Sequence, residues 1–327
     1  MAADWHEVLA ACPRVRVVDS HTIGEPTRVV VDDAFLAALD LGAGSVRERR
    51  DRFRDRFDLV RRGLVGDPRG AVAMVGVLPV PAADPTCDLG AIFVNRVGYL
   101  DMCGHATIGL AVTLGHLGRI PPGSFRLDTP AGVVGVTWHG GADASFSCVP
   151  PRRTAKDLLV ECDDGRRVTG DVATSGLWFF FCRDHGLAIV PEAIPALLER
   201  AWAIRRALES RGISGDAGAV IDHIVLLGPP ADAAHHGRSF VLCPDGAYDR
   251  SPCGTATSAL VGCLHADGLL AEGDVWRQES VLGGVYEASI RRDGSVLVPS
   301  VRGRAWITAS ADLHFDPDDP HRTGFAG

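Results

Sequence analysis

The sequence predicts an α/β (α+β) protein built from two similar halves, and three observations carry that expectation. A length of 327 residues, 46% of them hydrophobic and 23% charged, suits about two domains with real cores. Apolar strand-like runs alternate with helix-like segments along the chain. Most tellingly, Cys103-Gly-His-Ala-Thr-Ile-Gly-Leu110 returns as Cys253-Gly-Thr-Ala-Thr-Ser-Ala-Leu260 at an offset of 150 residues, and Leu114 with Gly118 returns as Leu264 with Gly268. Farther on, Arg126-Leu-Asp-Thr-Pro-Ala-Gly132 lies over Arg277-Gln-Glu-Ser-Val-Leu-Gly283, so the likeness extends past a helix into the strand that follows.

Taken in order, the first elements are strands at Val15–Asp19 and Thr27–Asp32, joined by the turn-like Ser20-His-Thr-Ile-Gly-Glu-Pro26. Residues 45–64 read as an amphipathic surface helix, because Phe53, Phe57 and Val60 recur at helical spacing while arginines and aspartates interleave elsewhere. Further strands are expected at 71–78, 90–94, 133–138, 176–181 and 239–243, and helices at 107–117, 191–211 and 257–266. Val149-Pro-Pro-Arg152 marks the expected boundary between a first half, 1–150, and a second, 151–304.

Composition excludes several functions. A net charge of −8 with no long basic face makes nucleic acid an unexpected partner. No stretch approaches the roughly 18 apolar residues of a membrane span and the N-terminus lacks a signal-like run, so a cytoplasmic protein without membrane contact is expected. The nine cysteines show no C-x-x-C pair and read as reduced thiols. Lys156 is the only lysine, which leaves little room for pyridoxal-phosphate chemistry. Cys103-Gly-His105 and Cys263-Leu-His265 lack zinc-site spacing, and Leu41-Gly-Ala-Gly-Ser-Val-Arg47 breaks the dinucleotide glycine pattern. No cofactor and no metal are therefore expected.

The repeat itself points to chemistry. Cys103 and Cys253 each stand just before a helical segment, where free N–H groups and the helix dipole favour thiolate and can also hold a carboxylate. Two thiols from two related halves suit a racemase or epimerase: one removes an α-proton and the other protonates the opposite face. The other seven cysteines read as small buried hydrophobes.

Asp101-Met-Cys-Gly-His-Ala-Thr-Ile-Gly109, Asp249-Arg-Ser-Pro-Cys-Gly-Thr-Ala-Thr-Ser-Ala259, Asp19-Ser-His-Thr-Ile-Gly-Glu-Pro26 and Arg277-Gln-Glu-Ser280 resemble the proline racemase family, closest to its bacterial 4-hydroxyproline 2-epimerases. The resemblance implies a diaminopimelate-epimerase-like fold: two pseudo-symmetric halves, each a curled sheet around a central helix, the first completed by 305–327, with the site in the cleft between them. It implies Cys103 and Cys253 as the acid/base pair, and Gly104, His105, His223, Asp249, Gly254 and Thr255 as substrate-binding. The expected partner is a small imino acid, 4-hydroxyproline or proline, bound by a monomer or homodimer. Read on residues alone, His105 either caps its own turn or faces substrate. Asp249 is either a turn aspartate or the partner of an ammonium, and His223, beside Asp222, is either a core histidine or a reader of the substrate hydroxyl. The sequence departs from the family at Ala106, Ala256 and Ile23, where glycine is usual, and at Leu177 and Arg96, where asparagine is usual. Those changes leave plain proline, or a catalytically weak imino-acid binder, as rival readings. Cys103 speaks against the dehydratase branch, which usually has serine or threonine there.

Overall fold

The computed structural model describes residues 4–325. Two compact units are present: one runs up to Phe146 and resumes at Arg304, and the other is Ser147–Gly303. The first contains helices α1 (Trp5–Ala11), α2 (Asp33–Ala38), α3 (Val46–Val65) and α4 (Gly104–His116). Its strands are β1 (Arg14–Thr22), β2 (Glu25–Val30), β3 (Val75–Val80), β4 (Leu89–Val94), β5 (Tyr99–Leu100), β6 (Gly123–Thr129), β7 (Gly132–Gly140) and β8 (Asp143–Ser147), whose last residue falls past the division. The second contains β9 (Arg152–Glu161), β10 (Arg167–Thr174), β11 (Trp178–Cys182), α5 (Ile194–Ser210), β12 (His223–Gly228), β13 (Gly237–Leu242), β14 (Tyr248–Asp249), α6 (Gly254–Ala266), β15 (Trp276–Ser280) and β16 (Val285–Asp293). One long strand, β17 (Val296–His314), serves both: its start pairs with β16 and its end with β1, in the register Val17↔Ala311.

The units share one pairing scheme. In the first, β2 lies parallel to β3, β3 antiparallel to β4, β4 parallel to β6, and β6 antiparallel to β7. In the second, β11, β12, β13, β15 and β16 repeat those directions in turn. Small fixtures repeat as well. Asp128 accepts from the Ala83 and Asp84 N–H groups at 2.8 and 3.0 Å, and Glu279 accepts from those of Ala231 and Asp232, both at 2.9 Å.

The central helices explain why each sheet curls. In α4, Gly104 and every residue from Ala106 to Leu114 are buried, and α6 is buried continuously from Gly254 to Val261. A helix apolar on all sides must be enclosed by its own fold. Accordingly α4 packs on β1, β2, β3 and β7, and α6 on β9, β10, β11 and β16. The remaining helices lie on a second apolar cluster in each unit. In α3 the predicted face is fully buried at Phe53, Phe57 and Val60, against Phe35 and Phe315, and α5 buries Leu197, Ala201 and Ile204 against Phe180 and Phe240. Arg28 ties β2 to this layer, bridging Asp19 through both carboxylate oxygens at 2.7 and 2.8 Å and donating to the Leu64 and Arg69 carbonyls.

Several boundaries shift from expectation. Residues 71–73 form a turn and β3 begins only at Val75, because Val72 is exposed and its apolar side chain faces no layer. The helices expected from 107 and 257 begin at Gly104 and Gly254, directly after the cysteines. The β1–β2 connection is a two-residue hairpin turn, with Ile23 at φ 51° and Gly24 at φ 98°. A β-branched residue is unusual there, and the left-handed backbone costs it about 1–2 kcal/mol. Among the described residues, no helix is long and apolar enough to cross a membrane.

Gly109 provides a test of how tightly α4 is gripped. A Cβ there would sit 2.9 Å from Thr27 Oγ1 and 3.1 Å from Ser20 Oγ, on paired strands that cannot retreat, whereas the matching position of α6 is the fully buried Ala259. We expect Gly109→Ala to destabilise the protein by about 1–3 kcal/mol in urea unfolding, despite alanine's roughly 1 kcal/mol advantage in helices. Equal or greater stability would show that the helix has slack against β1 and β2.

Candidate active site

Each unit ends a short strand, turns, and starts its buried helix on a cysteine. In the first, β5 leads to Cys103, the N-cap of α4; in the second, β14 leads to Cys253, the N-cap of α6. A matching pair of bonds secures both turns. Thr107 and Thr257 donate their hydroxyls to the Cys103 and Cys253 carbonyls, both at 2.8 Å, and their backbone N–H groups to the same carbonyls, both at 2.9 Å. The residue two positions on then touches the thiol. His105 Nδ1 is 3.4 Å from Cys103 Sγ, and Thr255 Oγ1 is 3.5 Å from Cys253 Sγ. Histidine and threonine thus occupy one structural post in the two copies; the sequence repeat aligns them but did not reveal that both touch the thiol.

The first-unit cluster is Cys103, Gly104 and His105. Gly104 starts α4 against the Phe146 ring, 2.6 Å from where a Cβ would stand, so a side chain would displace the turn. His105 is clamped by the β1–β2 hairpin: Thr22 Oγ1 donates to its carbonyl at 2.8 Å, and its ring hydrogen-bonds the Pro26 carbonyl. Burial pushes the imidazole down to about 4, against a weaker upward pull from Pro26, so the ring beside the Cys103 thiol is neutral at pH 7.

The second-unit cluster gathers His223, Asp249, Cys253, Gly254 and Thr255. Asp249 Oδ1 accepts from the Ser251 hydroxyl at 2.7 Å and the Ser251 N–H at 2.8 Å, and Ser251 Oγ accepts from the Cys253 N–H at 3.2 Å. The turn reading of Asp249 holds, and its buried carboxylate also faces the thiol. Burial raises Asp249 to about 6, while Ser251, the Cys253 thiol and nearby His223 pull the other way. Burial, and then the Asp249 carboxylate, push Cys253 well above the ordinary thiol range; Thr255 and the Ala256 N–H oppose them more weakly. This corrects the expectation that the helix start would favour thiolate at Cys253. Desolvation and one adjacent negative charge outweigh the dipole, and the resting group is a thiol. Cys253 also sits at φ 61°, ψ 111°, whereas Cys103 is extended at φ −141°, ψ 118°, so the second thiol is carried on strained backbone.

His223 opens β12 beside Phe179 of β11, with ring centroids 5.1 Å apart, and is 7% exposed. Its Nδ1 lies 2.7 Å from Asp222 Oδ1. Sequence reasoning placed no role on Asp222, Ser251, Thr22 or Pro26. Only Asp222 carried a local signal, by standing next to a histidine. Lys156 lies on β9 with its ammonium 2.8 Å from Asp267. Among the described residues, no three His, Cys, Asp or Glu side chains are grouped to hold a metal ion.

Two curled-sheet units, each starting its buried helix on a cysteine, are the frame of an isomerase. The proline racemase family model matches residues 17–326, and the chain belongs to that family. It is 47% identical over 311 residues to a 4-hydroxyproline 2-epimerase of Roseibium aggregatum, covering 95% of this chain and 99% of the relative. It is 42% identical over 310 residues to a 4-hydroxyproline 2-epimerase of Acinetobacter baumannii, covering 95% and 98%. A hydroxyproline epimerase from Agrobacterium vitis, solved with bound trans-4-hydroxy-L-proline, shares the fold with a TM-score of 0.82 and 22% identity over 96% of this chain and 95% of its own.

The raised Asp249 makes stability depend on pH with a definite sign. A carboxyl group whose folded value lies above its unfolded one adds stability that is fully present below about pH 4 and lost as pH rises through about 6. The loss amounts to up to about 3 kcal/mol. Asp249→Asn keeps an acceptor for Ser251 and removes the ionisation, so its unfolding free energy should fall less than the parent's between pH 4 and 7. Parallel profiles for the two proteins would remove Asp249 as the source.

Proposed function

We propose that the protein inverts the α-carbon of trans-4-hydroxy-L-proline to give cis-4-hydroxy-D-proline, without a cofactor, using Cys103 and Cys253. The single observation that carries this reading is the duplicated cysteine-capped helix start, each thiol touched by the residue two positions on. The names of relatives at 42% to 47% identity over 95% of the chain support the choice of substrate. In the reaction, one thiolate removes the α-proton, and the other group, as a thiol, delivers a proton to the opposite face. Free N–H groups of the two helix starts, beginning with Gly104 and Gly254, bind the substrate carboxylate. His105 and Thr255 hold their thiols in position.

Asp249 takes the substrate ammonium, and the electrostatics make that useful. In the free protein its carboxylate opposes ionisation of Cys253. An ammonium placed against it cancels that charge and brings the thiol back toward its ordinary range, so substrate itself activates the pair. His223 accepts a hydrogen bond from the 4-hydroxyl. Plain proline is the second reading, left open by the methyl groups of Ala106 and Ala256, both buried at the helix starts.

Incubation with 4-hydroxyproline or proline in deuterated water, followed by α-proton loss and optical rotation, tests the assignment. Faster exchange with inversion on hydroxyproline is expected; preference for proline would select the second reading, and binding without exchange would make the protein a binder. Cys103→Ser and Cys253→Ser should each abolish inversion, since a serine hydroxyl is not held as alkoxide at neutral pH. Near-normal inversion in either variant would remove that cysteine from the reaction. His223→Ala should lower kcat/KM for hydroxyproline by about 1–3 kcal/mol in transition-state terms, with a much smaller loss on proline. Equal losses on both substrates would mark His223 as structural.

A further inference from the structure

We propose that Asp222 is a positioning residue that fixes the protonation pattern of His223 and thereby the polarity of the group the substrate's ring substituent meets. The proposal rests on the reading of His223 given above. His223 Nδ1 and Asp222 Oδ1 are 2.7 Å apart, with the histidine side chain 9% exposed and the aspartate 31%. A carboxylate only accepts hydrogen bonds, so Nδ1 must carry the proton. In a neutral ring Nε2 is then a bare acceptor, and it has no hydrogen-bond partner within the protein among the described residues.

The ring is also prevented from turning away. Residue 223 is locked in parallel register with Phe179, whose ring packs at 5.1 Å and 48°, and the Asp249 carboxylate of β14 interacts with it electrostatically. An acceptor-only nitrogen fits a ring substituent that donates, such as a hydroxyl. It disfavours one that can only accept, such as a ketone, because two lone pairs then face each other in a partly dry site. The pairing therefore turns a histidine, otherwise indifferent between donor and acceptor, into a one-way reader.

Asp222→Asn reverses the polarity with little change of shape. An asparagine amide donates to Nδ1, which moves the ring proton to Nε2 and makes that atom a donor. Long-range nitrogen–proton NMR on histidine-labelled protein, with His223→Gln used to assign the signal, reads the protonation site directly and without substrate. The expected result is a proton on Nδ1 in the parent and on Nε2 in Asp222→Asn. A parent with the proton on Nε2, or an unchanged pattern in the variant, overturns the proposal. Inhibition by 4-oxo-L-proline, an acceptor-only analogue, should then strengthen by about tenfold in Asp222→Asn relative to binding of plain proline. If the proton moves as expected while the 4-oxoproline-to-proline ratio stays fixed, His223 does not face the ring substituent. The hydroxyl-reading assignment would then be overturned, although the protonation control by Asp222 would stand.

Discussion

Enclosing a helix that has no polar face is the constraint on which this structure depends. Because α4 and α6 are buried along most of their length, the sheet around each must curl, and the part of each helix left near solvent is its C-terminal end. The helix starts lie at the other, enclosed end, where the unsatisfied N–H groups adjoin the residue at the N-cap position. Here that residue is a cysteine in both units. The chemistry and the packing problem thus share one solution, and Gly104 and Gly109, pressed against Phe146 and against the β1–β2 pair, show how little room the solution leaves.

The two copies are alike in backbone and unlike in electrostatics. Cys103 stands beside a neutral histidine on relaxed backbone, while Cys253 stands beside a buried carboxylate on a left-handed backbone and is held as a thiol. The two thiols are therefore inequivalent, and burial first and the Asp249 carboxylate second set Cys253 apart.

Much of this was legible in the chain. The offset between Cys103 and Cys253, carried on by matching leucines and glycines, foretold both the duplication and the helices, because a buried helix start leaves a dense and specific local pattern. What escaped is what depends on distant partners or on burial. The β9 strand shows one buried position in ten residues, so it offers no apolar alternation to read. The clamp on His105 comes from Thr22 and Pro26, about eighty residues earlier in the chain. The direction of the Cys253 shift could not be read because helix position is visible in a sequence and desolvation is not. His223 and Asp222 were adjacent in plain view, yet only the 2.7 Å separation shows that they act together.

The strand β17 has a consequence for how the chain is made. Its end supplies the partner of β1, with Arg14 opposite His314, and Phe315 just beyond it enters the first unit's apolar cluster. The unit that emerges first from the ribosome therefore lacks one of its strands until the end of β17 has been made, whereas the second unit is contiguous and has all its residues by Gly303. During translation β1 waits with an open edge until that distant partner is made, an arrangement exposed to pairing with a neighbouring nascent chain. Completion proceeds from the later half back to the earlier, opposite to the order of synthesis.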